Sequence, residues 1–293
     1  MLHSTKESFA YKNFTLKVTE ETSKLQHDEI IEFIKTFFTG KKGPAIIGIS
    51  GGKDSTVCAA LLVEALGKDR VIGVSMPNGE QPDIADAEKV FETLGIRKVT
   101  VNIGDAYKDI TGAICANFME DVGKGNLEND IPTLYTTNTP ARLRMVSLYG
   151  VAAILNGYVC NTCNASEDWV GYSTKWGDAV GDFALLNYLT KTEVVALGDY
   201  MKLPSELIHK APSDGMCDKT DEDNMGFTYE ELDFYLHCPI GRGDEDKMGA
   251  VLSQEVIMKI EQMHNSINTK YKLVNMAKAN NPVANAIEFV ECN

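Results

Sequence analysis

Residues 45–55 read Ala45-Ile46-Ile47-Gly48-Ile49-Ser50-Gly51-Gly52-Lys53-Asp54-Ser55. The apolar run at the start is too short for a helix and ends in a glycine pair, the form of a strand buried on both faces in a parallel sheet. Helical spacing follows over 55–66, with Val57, Leu61, Leu62 and Leu66 on its inner side. The sequence between them is therefore a strand-to-helix turn. Two adjacent glycines there let the backbone approach an anion and present N–H groups to it, and the next helix points its positive end the same way. Ser50 and Ser55 add hydroxyls, Lys53 a charge, and Asp54 a carboxylate able to hold magnesium against phosphate oxygens. The carboxyl end of a parallel strand is where open α/β sheets bind ligands. A Gly-Gly pair alone would be a mere connector; the specified residues around it, in this context, favour a phosphate site.

The pattern continues outward. Val71 to Ser75 reads as a second strand, 84–94 as a helix and 98–103 as a third strand. A long helix over 139–155 feeds a strand over 158–162, and further helices are expected over 191–201, 229–236 and 253–267. Strands alternating with helices every ~25–30 residues indicate βαβ units, hence an α/β doubly wound parallel sheet with helices on both faces. Upstream, residues 1–43 form a helical entry segment: Ile30, Ile31, Phe33, Ile34, Phe37 and Phe38 recur at helical spacing and Gly40 stands at the stop. Two stretches break the order. Residues 121–138 read as a loop, and 213–225, with Asp214, Asp218, Asp221, Glu222 and Asp223, as a mobile acidic segment. No repeat or linker divides the chain, so residues 1–293 are expected to form one domain.

Bulk properties narrow the function. The chain has 293 residues, 44% hydrophobic and 24% charged, with a formal charge of -14. That excess of acid argues against a nucleic-acid partner, and an anionic ligand must rely on local cations and amides. No apolar stretch approaches membrane-spanning length and no secretory signal is evident, so no membrane association is expected. Seven scattered cysteines, an odd number, suit reduced thiols in the cytoplasm. Cys160-x-x-Cys163 lacks a second pair at zinc spacing and reads as ordinary buried thiols.

Residues 162–191 hold a second constellation: Thr162, Glu167, Thr174-Lys175-Trp176-Gly177-Asp178, Asp182 and Leu189-Thr190-Lys191. Glu167 follows an apolar strand, where a carboxylate could join Asp54 on one cation, and Lys175 and Lys191 could neutralise phosphates. Taken singly, each has a bland reading. Glu167 could be a solvated neighbour of a helix cap, and Arg142 and Arg144 the wet face of a helix. Lys191, however, opens a helix, a poor place for a cation unless an anion lies near.

The loop Ser50-Gly51-Gly52-Lys53-Asp54-Ser55 resembles the Ser-Gly-Gly-x-Asp-Ser loop of the N-type ATP pyrophosphatases, which cleave ATP between its α and β phosphates. Within them, the chain resembles the ammonia-dependent NAD synthetase family. The Thr162–Lys191 constellation agrees in spacing throughout, with Trp176 in place of Tyr. Ala141-Arg142-Leu143-Arg144-Met145 matches its Ala-Arg-x-Arg-Met helix, and Gly226-Phe227-Thr228-Tyr229-Glu230-Glu231-Leu232-Asp233 its Gly-x-Thr-Tyr-Asp-x-Leu-Asp segment. The resemblance covers about residues 45–272.

It implies an adenine nucleotide alpha-hydrolase-like fold and ATP-dependent amidation of deamido-NAD by ammonia through an adenylated intermediate, without a covalent nucleophile of the enzyme. ATP would be held by Gly48, Ser50, Gly51, Gly52, Lys53, Asp54, Ser55, Thr162, Lys191 and Ser213. Asp54 and Glu167 would hold Mg2+. Deamido-NAD would meet Arg142, Lys175, Asp178, Asp182, Thr269 and Lys270, where Thr269 stands in place of the family's histidine. The resemblance also implies a homodimer. Glutamine-dependent relatives carry an added glutaminase domain for which this length leaves no room, so free ammonia is the expected donor. Two rivals share the loop: a tRNA-modifying pyrophosphatase, opposed by the acidic charge, and a nucleotide-binding regulator without catalysis, opposed by the presence of both Asp54 and Glu167.

Overall fold

The computed structural model describes residues 14–80, 84–122, 131–210, 220–237, 252–266, 277–280 and 288–291. Strands β2 (Ala45–Gly48), β3 (Val71–Ser75), β4 (Arg97–Thr100), β5 (Tyr158–Asn161), β6 (Phe183–Ala184) and β7 (Ala277–Lys278) form one sheet in the order β4-β3-β2-β5-β6-β7. All its pairs are parallel. Strand β1 (Phe14–Lys17) pairs antiparallel with β8 (Glu288–Glu291) in a separate ribbon. From β2 the chain winds one way to β4, then returns to the other side of β2 through β5. The reversal opens a crevice beyond the carboxyl ends of β2 and β5, the topological switch point.

Alternation along β2 decides which helices cover which face. Ala45 and Ile47 point to a core built from α1 (Glu20–Phe37), α2 (Lys53–Leu66) and α7 (Lys191–Tyr200), including Ile30, Ile34, Val57, Leu61, Val194 and Leu197. Ile46 faces the opposite way and packs with Ile72, Val74 and Val159 beneath Leu148, Ala152 and Leu155 of α5 (Thr133–Leu155). A third cluster joins α6 (Ala165–Val170), α9 (Asp221–Met225), α10 (Tyr229–His237) and α11 (Gln254–His264) through Val170, Met225, Phe227, Leu232 and Ile260. Helices α3 (Ile84–Leu94), α4 (Gly104–Val122) and α8 (Ser205–Ile208) complete the set among the described residues.

Two sequence expectations are corrected. The 121–138 stretch expected as a loop is helical at both edges: α4 runs to Val122 and α5 begins at Thr133, while 123–130 lie outside the described residues. Pro140 does not end α5, although it removes one backbone donor. Upstream of it, the hydroxyls of Thr136 and Thr137 donate to the Thr133 carbonyl at 2.9 and 3.0 Å, so the opening turn is tied by side chains as well. The acidic stretch is likewise ordered where it is described. Thr220 caps α9 through a reciprocal bond with Asp223, and Met225 is buried; residues 211–219 lie outside the described residues.

Candidate active site

The turn after β2 is built as the sequence suggested. Gly51 has φ +81, and a Cβ there would meet Asp86 and Ala87 at 2.6–2.7 Å, so the start of α3 presses on a glycine that cannot be replaced without movement. Gly52 caps α2, and its carbonyl accepts from Ser55 Oγ at 3.0 Å and Thr56 Oγ1 at 2.8 Å. Ser50 Oγ accepts from Gly52 N at 3.2 Å and lies 3.2 Å from Ser55 Oγ. The result is a turn with its hydroxyls and the first amides of α2 gathered at the mouth of the switch point. Lys53 is buried; its Nζ donates to the Lys210 carbonyl at 2.7 Å, and burial followed by the like charge of Lys191 pushes its pKa down.

Three charges meet above this turn. Lys191 Nζ lies 2.8 Å from Asp54 Oδ2 and 2.8 Å from Glu167 Oε1, with the lysine side chain only 7% exposed. Asp54 leaves the first turn of α2, Glu167 the first turn of α6 and Lys191 the first residue of α7. Three helix starts therefore converge on one point. The cation that looked misplaced in the sequence is neutralised by two carboxylates. Burial opposes the Lys191 charge, but Asp54 and Glu167 outweigh it and hold the ammonium above its ordinary range. Burial pushes Glu167 up to about 7 against the pull of Lys191. Tyr229 closes the triad from below, its ring 4.7 Å from Lys191 Nζ.

Sequence reasoning missed the residue that aligns this group. Asn164, fully buried, caps α6 by accepting from Glu167 N at 3.0 Å and donates Nδ2 to Asp54 Oδ1 at 2.9 Å. Its only signal was an Asn three residues before a Glu, a capping-box spacing.

The cavity over the triad measures about 770 Å³. Gly48, Ser50, Gly52, Lys53, Asp54, Ser55, Thr162, Glu167, Asp178 and Lys191 line it, as do Arg144, Tyr172, Ser173 and Asn224, which the sequence reading did not assign. Among the described residues Ser173 Oγ, buried there, has no hydrogen-bond partner. Other expected residues stand back from the wall. Arg142 is exposed and donates to the Lys175 carbonyl at 3.2 Å, bracing the 174–178 turn. Lys175 Nζ lies over the Trp176 ring at 5.6 Å. Asp182 Oδ2 accepts from Val159 N at 2.7 Å, a bond that fastens β5 to the segment before β6. Asp178, which does reach the cavity, accepts at Oδ1 from Thr174 N at 2.7 Å within the turn. Ser213, Thr269 and Lys270 lie outside the described residues.

A model of the NAD synthase family matches residues 27–274. The chain belongs to the NAD synthase family. It is 36% identical over 248 residues to the NH(3)-dependent NAD(+) synthetase of Pyrococcus furiosus, covering 83% of this chain and 90% of that one. Its fold is similar to that of NMN synthetase from Francisella tularensis, with TM-score 0.66 and 32% identity over 83% of this chain and 93% of the other. It is also similar to NAD+ synthetase from Burkholderia pseudomallei, with TM-score 0.65 and 26% identity over 86% and 90%. The sheet with its switch-point crevice is the adenine nucleotide alpha-hydrolase-like fold of these proteins, and the family's activity is that of a ligase.

Proposed function

We propose that this protein amidates deamido-NAD with ammonia, consuming ATP and releasing AMP and pyrophosphate, the last step of NAD biosynthesis. The observation that carries this reading is the meeting of Asp54, Glu167 and Lys191 at 2.8 Å above a Gly51-Gly52 turn. It is a charge arrangement suited to a polyphosphate at the start of α2. The donors named in the sequence reading supply ATP contacts: Gly48, Ser50 to Ser55, Thr162 and Lys191, with Ser213 added by family resemblance.

Mg2+ fits Asp54 and Glu167. Their oxygens are hard donors converging on a single cationic group, and among the described residues there is no cluster of three or more metal-type side chains. That pattern agrees with an ion usually held by one or two carboxylates together with substrate phosphates. Bound there, the ion would offset charge growing on the phosphate oxygens. The chain's own groups do the rest. Backbone amides and hydroxyls of the Ser50–Ser55 turn orient the β and γ phosphates, and Lys191 steadies the departing pyrophosphate. The nicotinate carboxylate of the substrate attacks the α-phosphorus and expels pyrophosphate. Ammonia then attacks the acyl carbon, AMP leaves with the former carboxylate oxygen, and the nitrogen loses a proton. No side chain of the enzyme becomes covalently attached. Arg142, Lys175, Asp178, Asp182, Thr269 and Lys270 are proposed on the deamido-NAD side, Arg142 acting through the 174–178 turn.

Among the described residues the free thiols Cys58, Cys115 and Cys160 support a reducing, cytoplasmic setting. A second copy of the chain is the proposed partner, supported by the apolar face that α4 and α5 expose. Among the described residues no helix is long and apolar enough to cross a membrane.

Similarity to an NMN synthetase favours one second reading, in which the acid substrate is the mononucleotide. Purified protein should be given ATP, magnesium and ammonium with either nicotinic acid adenine dinucleotide or nicotinic acid mononucleotide, and products identified by mass. The expected result is NAD with equimolar AMP, at a higher kcat/KM than for the mononucleotide. Preference for the mononucleotide would replace the dinucleotide reading, and absence of AMP with both acids would end both. Replacing ammonium with glutamine should leave the acid unconverted.

A further inference from the structure

The Gly226–Asp233 segment resembles a family motif, yet no step above uses it. In the fold it forms the approach to α10 and that helix's first turns. Asp233 is wholly buried, and its Oδ2 accepts from Thr192 N and Thr192 Oγ1, both at 2.7 Å. Its Oδ1 accepts from Ser166 Oγ, which itself accepts from Lys191 N at 2.9 Å. Ser166 precedes Glu167 in α6, and Thr192 follows Lys191 in α7. A single carboxylate thus joins the two helix starts whose next side chains close on Asp54.

The same helix face reaches the charged end of the lysine. Tyr229 stands one turn before Asp233 and sets its ring 4.7 Å from Lys191 Nζ. So α10 touches Lys191 at the tip through Tyr229 and at the backbone through Ser166 and Asp233. A buried carboxylate is costly unless its lone pairs are filled, and among the described residues the donors to this one come from α6 and α7. Space-filling alone would be met by an apolar side chain, as at neighbouring Leu232 and Phe227.

We infer that Asp233 is a positioning residue for ATP binding: by bridging Ser166 and Thr192 it fixes the approach of Lys191 to Asp54. The inference rests on the reading of Lys191 as a phosphate ligand. It acts through that lysine and touches no substrate atom itself. Asparagine keeps the shape of Asp233 but puts an amide donor in place of Oδ1, which accepts from Ser166, or of Oδ2, which accepts twice from Thr192, so at least one of the three bonds is lost or reversed.

The test is a thermodynamic cycle on the whole protein. A non-hydrolysable ATP analogue with magnesium is titrated calorimetrically into wild type, D233N, K191A and the double variant, with melting midpoints measured alongside. D233N should weaken the analogue on the order of tenfold in the wild-type background and by less than about twofold in K191A, because the lysine through which it acts is gone. Its effect on the melting midpoint should be alike in both backgrounds. An equal loss of affinity in both, or full affinity in D233N, would overturn the inference. If D233N fails to fold, S166A, which removes only the bridging hydroxyl, carries the same cycle with the same criteria. Unchanged affinity in K191A would instead remove the Lys191 reading, and the inference with it, a result distinct from additivity.

Discussion

A carboxylate lying 2.8 Å from an ammonium is ordinarily held below its usual pKa, yet burial pushes Glu167 up to about 7. Raised from 4.5, the group contributes stability that is full below about pH 4.5 and is lost as pH rises through about 7. E167Q cannot ionise and escapes that loss. In metal-free buffer the melting midpoint of E167Q should therefore gain on wild type as pH goes from about 5 to about 8, measured by calorimetry; a gap constant with pH would contradict the assignment. With magnesium and ATP the same variant should lose nearly all NAD formation, as should E167A, and full turnover in either would remove Glu167 from the metal. Asn164 offers a second check. N164A gives up the cap of α6 and the bond to Asp54, for a loss of about 1–2 kcal/mol in chemical denaturation together with weaker ATP binding. Asp54, Glu167 and Lys191 were legible because charged residues beside a glycine turn and at a strand end are conspicuous. Asn164, Ser166 and Asp233 were not, since nothing in their own neighbourhood says that residues 54, 164, 191 and 233 meet. That meeting is a product of sheet topology.

At the scale of elements, the glycine pair separates shape from chemistry. Gly51 holds φ +81, and an added Cβ would lie 2.6 Å from Asp86 Cβ and 2.7 Å from the backbone of Asp86 and Ala87, so G51A meets both an unfavourable backbone conformation and a collision. Its expected cost is at least about 1–3 kcal/mol, with activity lost as a consequence. Gly52 lies at φ -81, and an added Cβ would touch only Ser50 Oγ at 3.3 Å. G52A should melt near the wild-type temperature but bind ATP weakly, because the new methyl occupies the approach of the phosphates. Calorimetric melting and ATP titration on the pair check this; equal melting losses would show that the turn tolerates neither or both for the same reason. The strands β2, β3 and β5 and helices α2, α3, α7 and α10 were readable within a residue or two, being short apolar runs or strong helical periods. Helix α4 and the start of α5 were not: α4 carries its apolar residues on an exposed face, and the run of Thr133, Thr136, Thr137 and Pro140 looks like a loop until its hydroxyls are seen bonding back along the helix. The two-residue strands β6 and β7 leave too little pattern to read, and they exist because β5 offers an edge.

For the molecule as a whole, that same misread region carries the exposed apolar face on which the proposed pairing rests. Ile110 and Ile114 of α4 are 43% and 39% exposed, and Leu134, Val146 and Ile154 of α5 are 68%, 59% and 84% exposed. Val146, Gly150 and Ile154 recur every fourth residue, so they line one side of α5, and among the described residues nothing lies within 4 Å of a Cβ added at Gly150. An apolar stripe of this kind beside an otherwise acidic surface is costly to leave wet, and self-association is its simplest cover. A twofold pairing would lay α5 against its own copy, so each substitution acts twice in the interface. Wild type should sediment at about twice the chain mass at micromolar concentration, while V146E, or I154D in case one position is peripheral, should sediment as a single chain with its helical content intact. Because α5 also brings Thr137, Asn138, Ala141 and Arg144 to the cavity wall, separation should raise KM for the acid substrate more than that for ATP, whose proposed ligands sit on α2, α6 and α7. A wild-type monomer with full activity would refute the pairing, and a monomeric V146E with both KM values unchanged would show that the interface and the site are independent.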